Sequence, residues 1–374
     1  MRIATIVGTR PQLIKAAALQ PALRARHDET FIDTGQHWDD ALAGVFFRDL
    51  GLVRPDLTLD GGGGTAAEQT GRIMVGLERT LAEVAPDVVL VFGDTNSTLA
   101  ASLVAARLGA PIAHVEAGLR SFDRRMPEEV NRIVTDHLAR WTFAPTPAAV
   151  ANLAAEGLTD GVHLVGDVMR DLAARTLETI RAEAVLADLP GGTTAGGTTA
   201  GGPWRTGRYL FATIHRAENR SAAAIEAWVA LLDAVARPDR PVLLALHPGT
   251  RAALDATGRS LGPNVVVVEP LGYRASLAAQ LHASAVLTDS GGVQREAAWL
   301  RTPCLVMRSS TEWLETLAGD AATSVLVGLD ANAAAAALDR LAPAARSIDD
   351  ARARAATRTI ETDGATDAIA RLLA

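Results

Sequence analysis

Short apolar runs alternate with longer amphipathic segments along almost the whole chain. In the first half the runs fall at residues 3–7, 30–33, 88–92, 111–115, 141–144 and 162–165, with helical patterns such as 12–25, 66–84 and 97–108 between them. The second half repeats the theme with runs at 209–214, 242–246, 265–268, 285–288, 304–307 and 324–327. Runs this short and this continuously apolar predict strands buried on both faces, so helices must cover each side of a parallel sheet. Two such series predict an α/β chain of two Rossmann-like, doubly wound domains facing each other across a cleft. Ligands of such sheets bind beyond the carboxyl ends of the strands. The residues just after each apolar run therefore hold the candidate chemistry.

Length agrees with this reading, since 374 residues are many for one core. The boundary is expected near residues 166–171, giving domains of 1–168 and 169–358. Residues 190–203 read PGGTTAGGTTAGGP. Gly, Thr and Ala at that density offset little chain entropy, so a flexible surface loop without chemistry is expected. Gly61, Gly62, Gly63 and Gly64 also read as a flexible loop, because they follow no clear strand and lack the Lys-Ser/Thr of a P-loop.

Composition narrows the function classes. Hydrophobic residues make up 48% of the chain and aromatics only 4%, so aliphatic side chains must do the packing. A net charge of −7 gives no reason to expect a nucleic-acid or acidic-membrane partner. No apolar run approaches the roughly 20 residues of a membrane span, and the N-terminal stretch is a strand pattern rather than a signal peptide. A cytoplasmic protein is expected. Cys304, the only cysteine, lies in an apolar run and reads as a buried packing thiol. Lys15 is the only lysine among 36 basic residues. In a chain that otherwise uses Arg, one retained Lys suggests a site needing a compact charge on a flexible stem.

The strand ends supply the candidate residues. Gly8-Thr9-Arg10-Pro11 follows the first run and opens a helix carrying Arg10 and Lys15. Phe92-Gly93-Asp94 ends another buried run, where a carboxylate is costly unless paired, hydrogen-bonded or functional. His114-Val115-Glu116-Ala117-Gly118-Leu119-Arg120 repeats that arrangement, and a run dense in both charge signs follows from Asp123 to Arg132, including Glu128. His215 ends the first strand of the second half beside Arg216 and Glu218. In Thr288-Asp289-Ser290-Gly291-Gly292, a strand gives way to a helix. Ser290 is an N-cap candidate, the glycines let a diphosphate approach the helix end, and Glu296 is placed for ribose hydroxyls. There is no HExxH, Cys/His cluster or clear Asp-x-Asp pair, and no NAD fingerprint, so neither metal nor cofactor is expected.

Taken together, the segments GTRPQLIK at Gly8, TGQH at Thr34, GDTNSTLA at Gly93, HVEAGLRS at His114, MPEEVNR at Met126 and FAPT at Phe143 resemble the non-hydrolysing UDP-N-acetylglucosamine 2-epimerases. HRAENR at His215, HP at His247, PLGY at Pro270, TDSGGVQREA at Thr288, TEW at Thr311 and VLVG at Val325 continue the resemblance in order. It implies a GT-B-type fold, a C-terminal helix (359–374) returning to the first domain, a homodimer, and reversible C2 epimerisation of UDP-N-acetylglucosamine and UDP-N-acetylmannosamine. It also implies that Asp94, Glu116 and Glu128 are catalytic carboxylates with Lys15 nearby. Arg10 with Pro270, Leu271 and Tyr273 would hold the uracil. Ser290, Gly291, Gly292 and His215 would bind the diphosphate, and Glu296 the ribose. Which carboxylate serves which face of the sugar stays open. The alternatives are a hydrolysing 2-epimerase and a catalytically silent nucleotide-sugar-binding regulator. One departure stands out. The family's activator pocket uses a Gln-His-x-Gln segment and an Arg before the next long helix. Here Gln36 and His37 remain, Asp39 replaces the second Gln, and the Arg position falls among glycines 61–64, so loss of that site is expected.

Overall fold

The computed structural model describes residues 1–36, 50–180, 204–317, 323–341, 360 and 362–374, with the backbone of 193–194 and 197–198. The chain divides into two compact units, Met1–Leu172 with Glu361–Ala374, and Ala173–Ile360.

In the first unit the strands are β1 (Arg2–Val7), β2 (Asp28–Asp33), β3 (Leu57–Thr58), β4 (Val88–Phe92), β5 (Ile112–Val115), β6 (Trp141–Ala144) and β7 (Val162–Leu164). They pair in the order β3-β2-β1-β4-β5-β6-β7, every pair parallel. Their helices are α1 (Arg10–Arg24), α2 (Ala66–Val84), α3 (Asn96–Leu108), α4 (Pro127–Leu138) and α5 (Pro147–Ala155), and α6 (Val168–Thr179) carries the chain into the second unit. α2 shows why such segments fold as they do. A capping box between Thr65 and Glu68 starts it, and Ile73, Leu77 and Leu81, spaced by four, form its buried stripe. That stripe packs with Val89 and Val91 of β4 and with Ala100, Ala101 and Val104 of α3.

The second unit holds β8 (Thr193–Thr194), β9 (Gly197–Thr198), β10 (Leu210–Ile214), β11 (Val242–Leu246), β12 (Val265–Val268), β13 (Ala285–Thr288), β14 (Cys304–Val306) and β15 (Ser324–Leu326). Their order is β15-β14-β13-β10-β11-β12-β8-β9. α7 (Ala222–Val235), α8 (Pro248–Thr257), α9 (Tyr273–His282), α10 (Gly291–Trp299) and α11 (Ala331–Leu341) accompany them. Alternate residues divide between two cores. Leu210, Ala212 and Ile214 join Leu244 and Leu246 under Trp228 and Leu232 of α7, while Phe211, Leu243 and Ala245 pack with Ala279 and Ala297 of α9 and α10. Both faces of the sheet are thus covered, the condition that a parallel sheet requires. The order of strands reverses between β1 and β4 in one unit and between β10 and β13 in the other. Such switch points open a crevice beyond the strand ends.

Three expectations need adjustment. Within 190–203, the described residues form two short antiparallel strands, with β8 added to the edge of the sheet opposite Val267 of β12. The rest of that stretch lies outside the described residues. Glycines 61–64 are docked, since Gly61 donates to the Thr34 carbonyl and Arg72 of α2 donates to the carbonyls of Gly62 and Gly63. The last helix, α12 (Ala365–Leu372), packs against α1. It starts later than the resemblance implied, because Gly364 is left-handed at φ 67° and Asp171 gathers the amides of Asp363, Gly364 and Thr366. Cys304 is buried, which pushes its thiol up to about 12. Among the described residues no helix is long and apolar enough to cross a membrane.

Candidate active site

At the switch point of the first unit, two predicted residues, Lys15 and Glu116, meet beside Gly93 at the end of β4. Lys15, on the second turn of α1, forms an ion pair with Glu116, each side chain about nine-tenths buried. Gly93 makes the approach possible. Its φ is +58°, and a Cβ there would lie 3.0 Å from Lys15 Nζ and 3.7 Å from Glu116 Oε2. The only lysine of the chain is therefore committed to a carboxylate at a strand end. Glu116 is one of four non-glycine residues with positive φ among those described, at +71°. Strain of this kind costs of order 1–3 kcal/mol and persists only where neighbours over-determine it. Here the Glu116 and Ala117 amides both donate to the Phe143 carbonyl at 3.1 Å.

Asp94 pairs with Arg132 of α4, and its carbonyl accepts from Asn131 Nδ2 at 2.9 Å. Of the two adjacent glutamates that begin α4, Glu128 is exposed while Glu129 is 1% exposed. Glu129 accepts the amides of Ser121 and Phe122 at 2.8 and 2.9 Å, the Ser121 hydroxyl at 2.9 Å, and Arg132 at 3.1 Å. It thereby pins the 121–122 turn, including the exposed Phe122 at φ 58°. The charged run thus splits. Asp123 and Arg125 form a solvated pair, whereas Glu129 and Arg132 turn inward. Arg10 begins α1, where burial pulls its guanidinium below its usual value. Gln12 ties this turn to β4, accepting from Gly8 and donating to the Phe92 carbonyl and the Thr98 hydroxyl.

In the second unit, β10 and β13 bring His215 beside Asp289. Nδ1 of His215 lies 2.7 Å from Asp289 Oδ1, with the imidazole 47% exposed and the carboxylate fully buried. Asp289 also accepts the His215 amide, the Arg216 amide at 2.9 Å and Asn219 Nδ2 at 2.8 Å. Burial by itself would raise this carboxyl; the contacts of His215, Arg216 and Asn219 outweigh it and hold it below its usual range. Asp289 is therefore an anionic acceptor, which keeps hydrogen on Nδ1 of His215.

Ser290 caps α10, its hydroxyl accepting from the Val293 amide at 3.4 Å. A Cβ on Gly291 would meet Trp313 Nε1 at 2.9 Å and Glu312 Oε1 at 3.0 Å, whereas Gly292 faces nothing nearer than Ser290 Oγ at 3.7 Å. Arg308 pairs with Glu312 at 2.9 Å. Burial would raise the Glu312 carboxyl, but Arg308, its own amide and Arg216 hold it below its usual value. The exposed N–H groups and positive end of such a helix suit an anion. Glu296, one turn on, is 6% exposed and accepts from Gln280 Nε2 at 2.6 Å. Pro270 and Leu271 are half-buried, while Tyr273 is 4% exposed. The tyrosine ring is thus packed into the unit, while Pro270 and Leu271 stay partly accessible. Among the described residues no group of three or more His, Cys, Asp or Glu is placed to hold a metal ion.

Sequence reasoning assigned no role to Glu129, Asn131, Arg132 or Asp289. Each lies inside a motif already singled out, and for Glu129, Arg132 and Asp289 a charge beside an apolar run was the available signal.

The chain is similar to known proteins over nearly its full length. Residues 21–373 match the family model described as UDP-N-acetylglucosamine 2-epimerase. It is 39% identical over 370 residues to the UDP-2,3-diacetamido-2,3-dideoxy-D-glucuronate 2-epimerase of Pseudomonas aeruginosa, covering 97% of this chain and 95% of that one. It is 36% identical over 338 residues to the UDP-N-acetylglucosamine 2-epimerase of Methanococcus maripaludis, covering 88% of each. Its fold superposes on the Methanocaldococcus jannaschii UDP-GlcNAc 2-epimerase, solved with UDP-GlcNAc and UDP, with a TM-score of 0.82 and 32% identity over 100% of this chain and 99% of that one.

Proposed function

From the premise that this chain belongs to the UDP-N-acetylglucosamine 2-epimerase family, we propose that it interconverts UDP-N-acetylglucosamine and UDP-N-acetylmannosamine without hydrolysing them. The observation that carries this reading is the convergence of Lys15, Glu116 and the Gly93–Asp94 turn at one switch point. The proton on carbon 2 of the sugar is not acidic, so it leaves only as the anomeric C–O bond breaks. UDP departs with the bonding pair, the ring passes through an oxocarbenium-like state, and loss of the C2 proton yields a glycal. Return of a proton to the opposite face, with re-addition of UDP at the anomeric carbon, completes the inversion. Two proton-transfer groups are needed, each contributing about 10²–10⁴-fold in rate. Asp94, Glu116 and Glu128 are the candidates, and their negative charge offsets the positive ring. In the second unit, the helix end at Ser290-Gly291-Gly292 with His215 would take the diphosphate, Glu296 the ribose and the 270–273 turn the uracil.

Incubation with UDP-N-acetylglucosamine in D₂O should place deuterium at carbon 2 of both epimers, with little free sugar and without added metal. Stoichiometric UDP release would instead indicate the hydrolysing reaction. The similarity to the Pseudomonas enzyme favours a second reading, in which the sugar is a diacetamido-uronate. A kcat/KM for that substrate well above the value for UDP-N-acetylglucosamine would select it.

The activator site of the family is proposed to be lost. His37 and Asp39 lie outside the described residues. Gln36 turns inward and accepts from the Ser97 amide and hydroxyl at 2.9 and 2.6 Å. The guanidinium that reaches glycines 61–64, that of Arg72, binds the carbonyls of Gly62 and Gly63. Hyperbolic kinetics from pure UDP-N-acetylmannosamine are expected. A lag abolished by priming with UDP-N-acetylglucosamine would show that an activator site survives.

A further inference from the structure

His114 has no part in the chemistry above, yet it is fully buried in β5, directly behind the Gly93 turn. We propose that His114 is a positioning residue for Asp94 and Glu116, a core imidazole carrying hydrogen on both ring nitrogens. The inference rests on the roles proposed for those two carboxylates.

The hydrogen count follows from the partners. Nε2 lies 2.8 Å from the Gly93 carbonyl oxygen, which can only accept. Nδ1 lies 2.7 Å from Asp136 Oδ1. The other oxygen of Asp136 accepts the Gly118 amide at 3.1 Å and Arg120 Nη1 at 2.7 Å. Burial alone would raise the Asp136 carboxyl, but His114 and Arg120 hold it below its usual value, so it too is acceptor-only. Both ring nitrogens must donate. The charges then close locally. His114 and Arg120 face Asp136, and Arg120 grips Glu156 through bonds of 2.6 and 2.7 Å. A buried ion persists when it is paired and hydrogen-bonded in this way.

The consequence reaches the reacting groups through Gly93. Its carbonyl is held by His114 and its amide donates to the Val115 carbonyl at 2.9 Å, so β5 grips the peptide on both sides. The same strand ends in Glu116. Beyond Gly93 stand Lys15 and Glu116, and Asp94 follows it with Arg132. One rigid ring thus braces the turn that sets Asp94 against the strand that sets Glu116. A glutamine at 114 could donate to one acceptor but would turn an oxygen or a single amide toward the other.

Two measurements test this. In ¹⁵N-histidine-labelled wild type at neutral pH, one imidazole should show both nitrogens protonated and slow to exchange, and its signals should vanish in His114→Gln. Turnover of His114→Gln should fall about 10²-fold, the usual cost of misplacing a reacting group by about 1 Å, while KM and UDP affinity stay near wild type. Asp136→Asn, which removes the carboxylate behind the ring, should cause the same split if His114→Gln fails to fold. An unprotonated ring nitrogen on His114, or a folded His114→Gln with wild-type kcat, would overturn the proposal. A wild type that does not epimerise UDP-N-acetylhexosamine would reject the functional reading instead, and the nitrogen signals would still decide the state of the ring.

Discussion

Replacing Glu116 by Gln, or Asp94 by Asn, is expected to lower kcat by about 10²–10⁴-fold while UDP affinity stays near wild type. Both changes conserve shape and remove the basic oxygen. In Glu116→Gln the amide would also face Lys15, whose charge now balances the carboxylate. UDP affinity should survive because the residues proposed for the diphosphate, Ser290 to Gly292 with His215, lie on the second unit. Glu128→Gln belongs to the same series. Its carboxylate is exposed on the first turn of α4 and, among the described residues, lacks an ion pair like those of Glu116 and Asp94, so a loss in that variant would be attributable to chemistry rather than to packing. Lys15→Arg completes the set. A planar guanidinium cannot occupy the narrow space beside Gly93 as the compact ammonium does, so turnover should fall there as well. Single-turnover rates with deuterium exchange at carbon 2 provide the measurement, and near wild-type rates in any variant would remove that residue from the mechanism.

Asp289→Asn should destabilise the second unit by about 1–3 kcal/mol at neutral pH, because it leaves donors arranged around the buried carboxylate without their acceptor. The amide would point hydrogens at N–H groups of residues 215, 216 or 219, all of which now donate to the carboxylate. The pH dependence has a definite sign. The folded-state carboxyl is held below its usual value, so its contribution is complete above the ordinary Asp value of about 3.9. It is lost as pH falls from there through the lower folded-state value. Thermal or urea unfolding should therefore separate wild type from Asp289→Asn at neutral pH, and the gap should close in acid below about pH 4. Equal stability at neutral pH would mean that the His215–Asp289 contact contributes nothing. His215 should also lose its fixed tautomer in this variant, which nitrogen NMR can read directly.

Much of the architecture is legible in the sequence. Val88–Phe92 and Val242–Leu246 are apolar at every position, and a strand of that kind tolerates only burial on both faces. Strand–helix alternation then demands parallel pairing, and the motifs at strand ends follow from where such sheets leave room for a ligand. Ser290 as a cap was equally local, because its hydroxyl needs only the amide three residues on.

Partner choice was not local, and only the tertiary structure decided it. Glu128 and Glu129 are chemically identical neighbours. Rotation of about 100° per residue on α4 puts one in solvent and the other under the 121–122 turn. Lys15 stood out by composition, but its pairing with Glu116 spans the interval from α1 to the end of β5 and depends on Gly93 keeping its surface bare. Asp289 and His215 meet because β10 and β13 are adjacent in the sheet although two strands separate them in sequence. Arg72 closes over glycines 61–64 from the second turn of α2, which glycine content alone could not show. Periodicity and capping are read within a turn or two of chain, whereas a buried charge is satisfied by whichever strand end the sheet order places beside it.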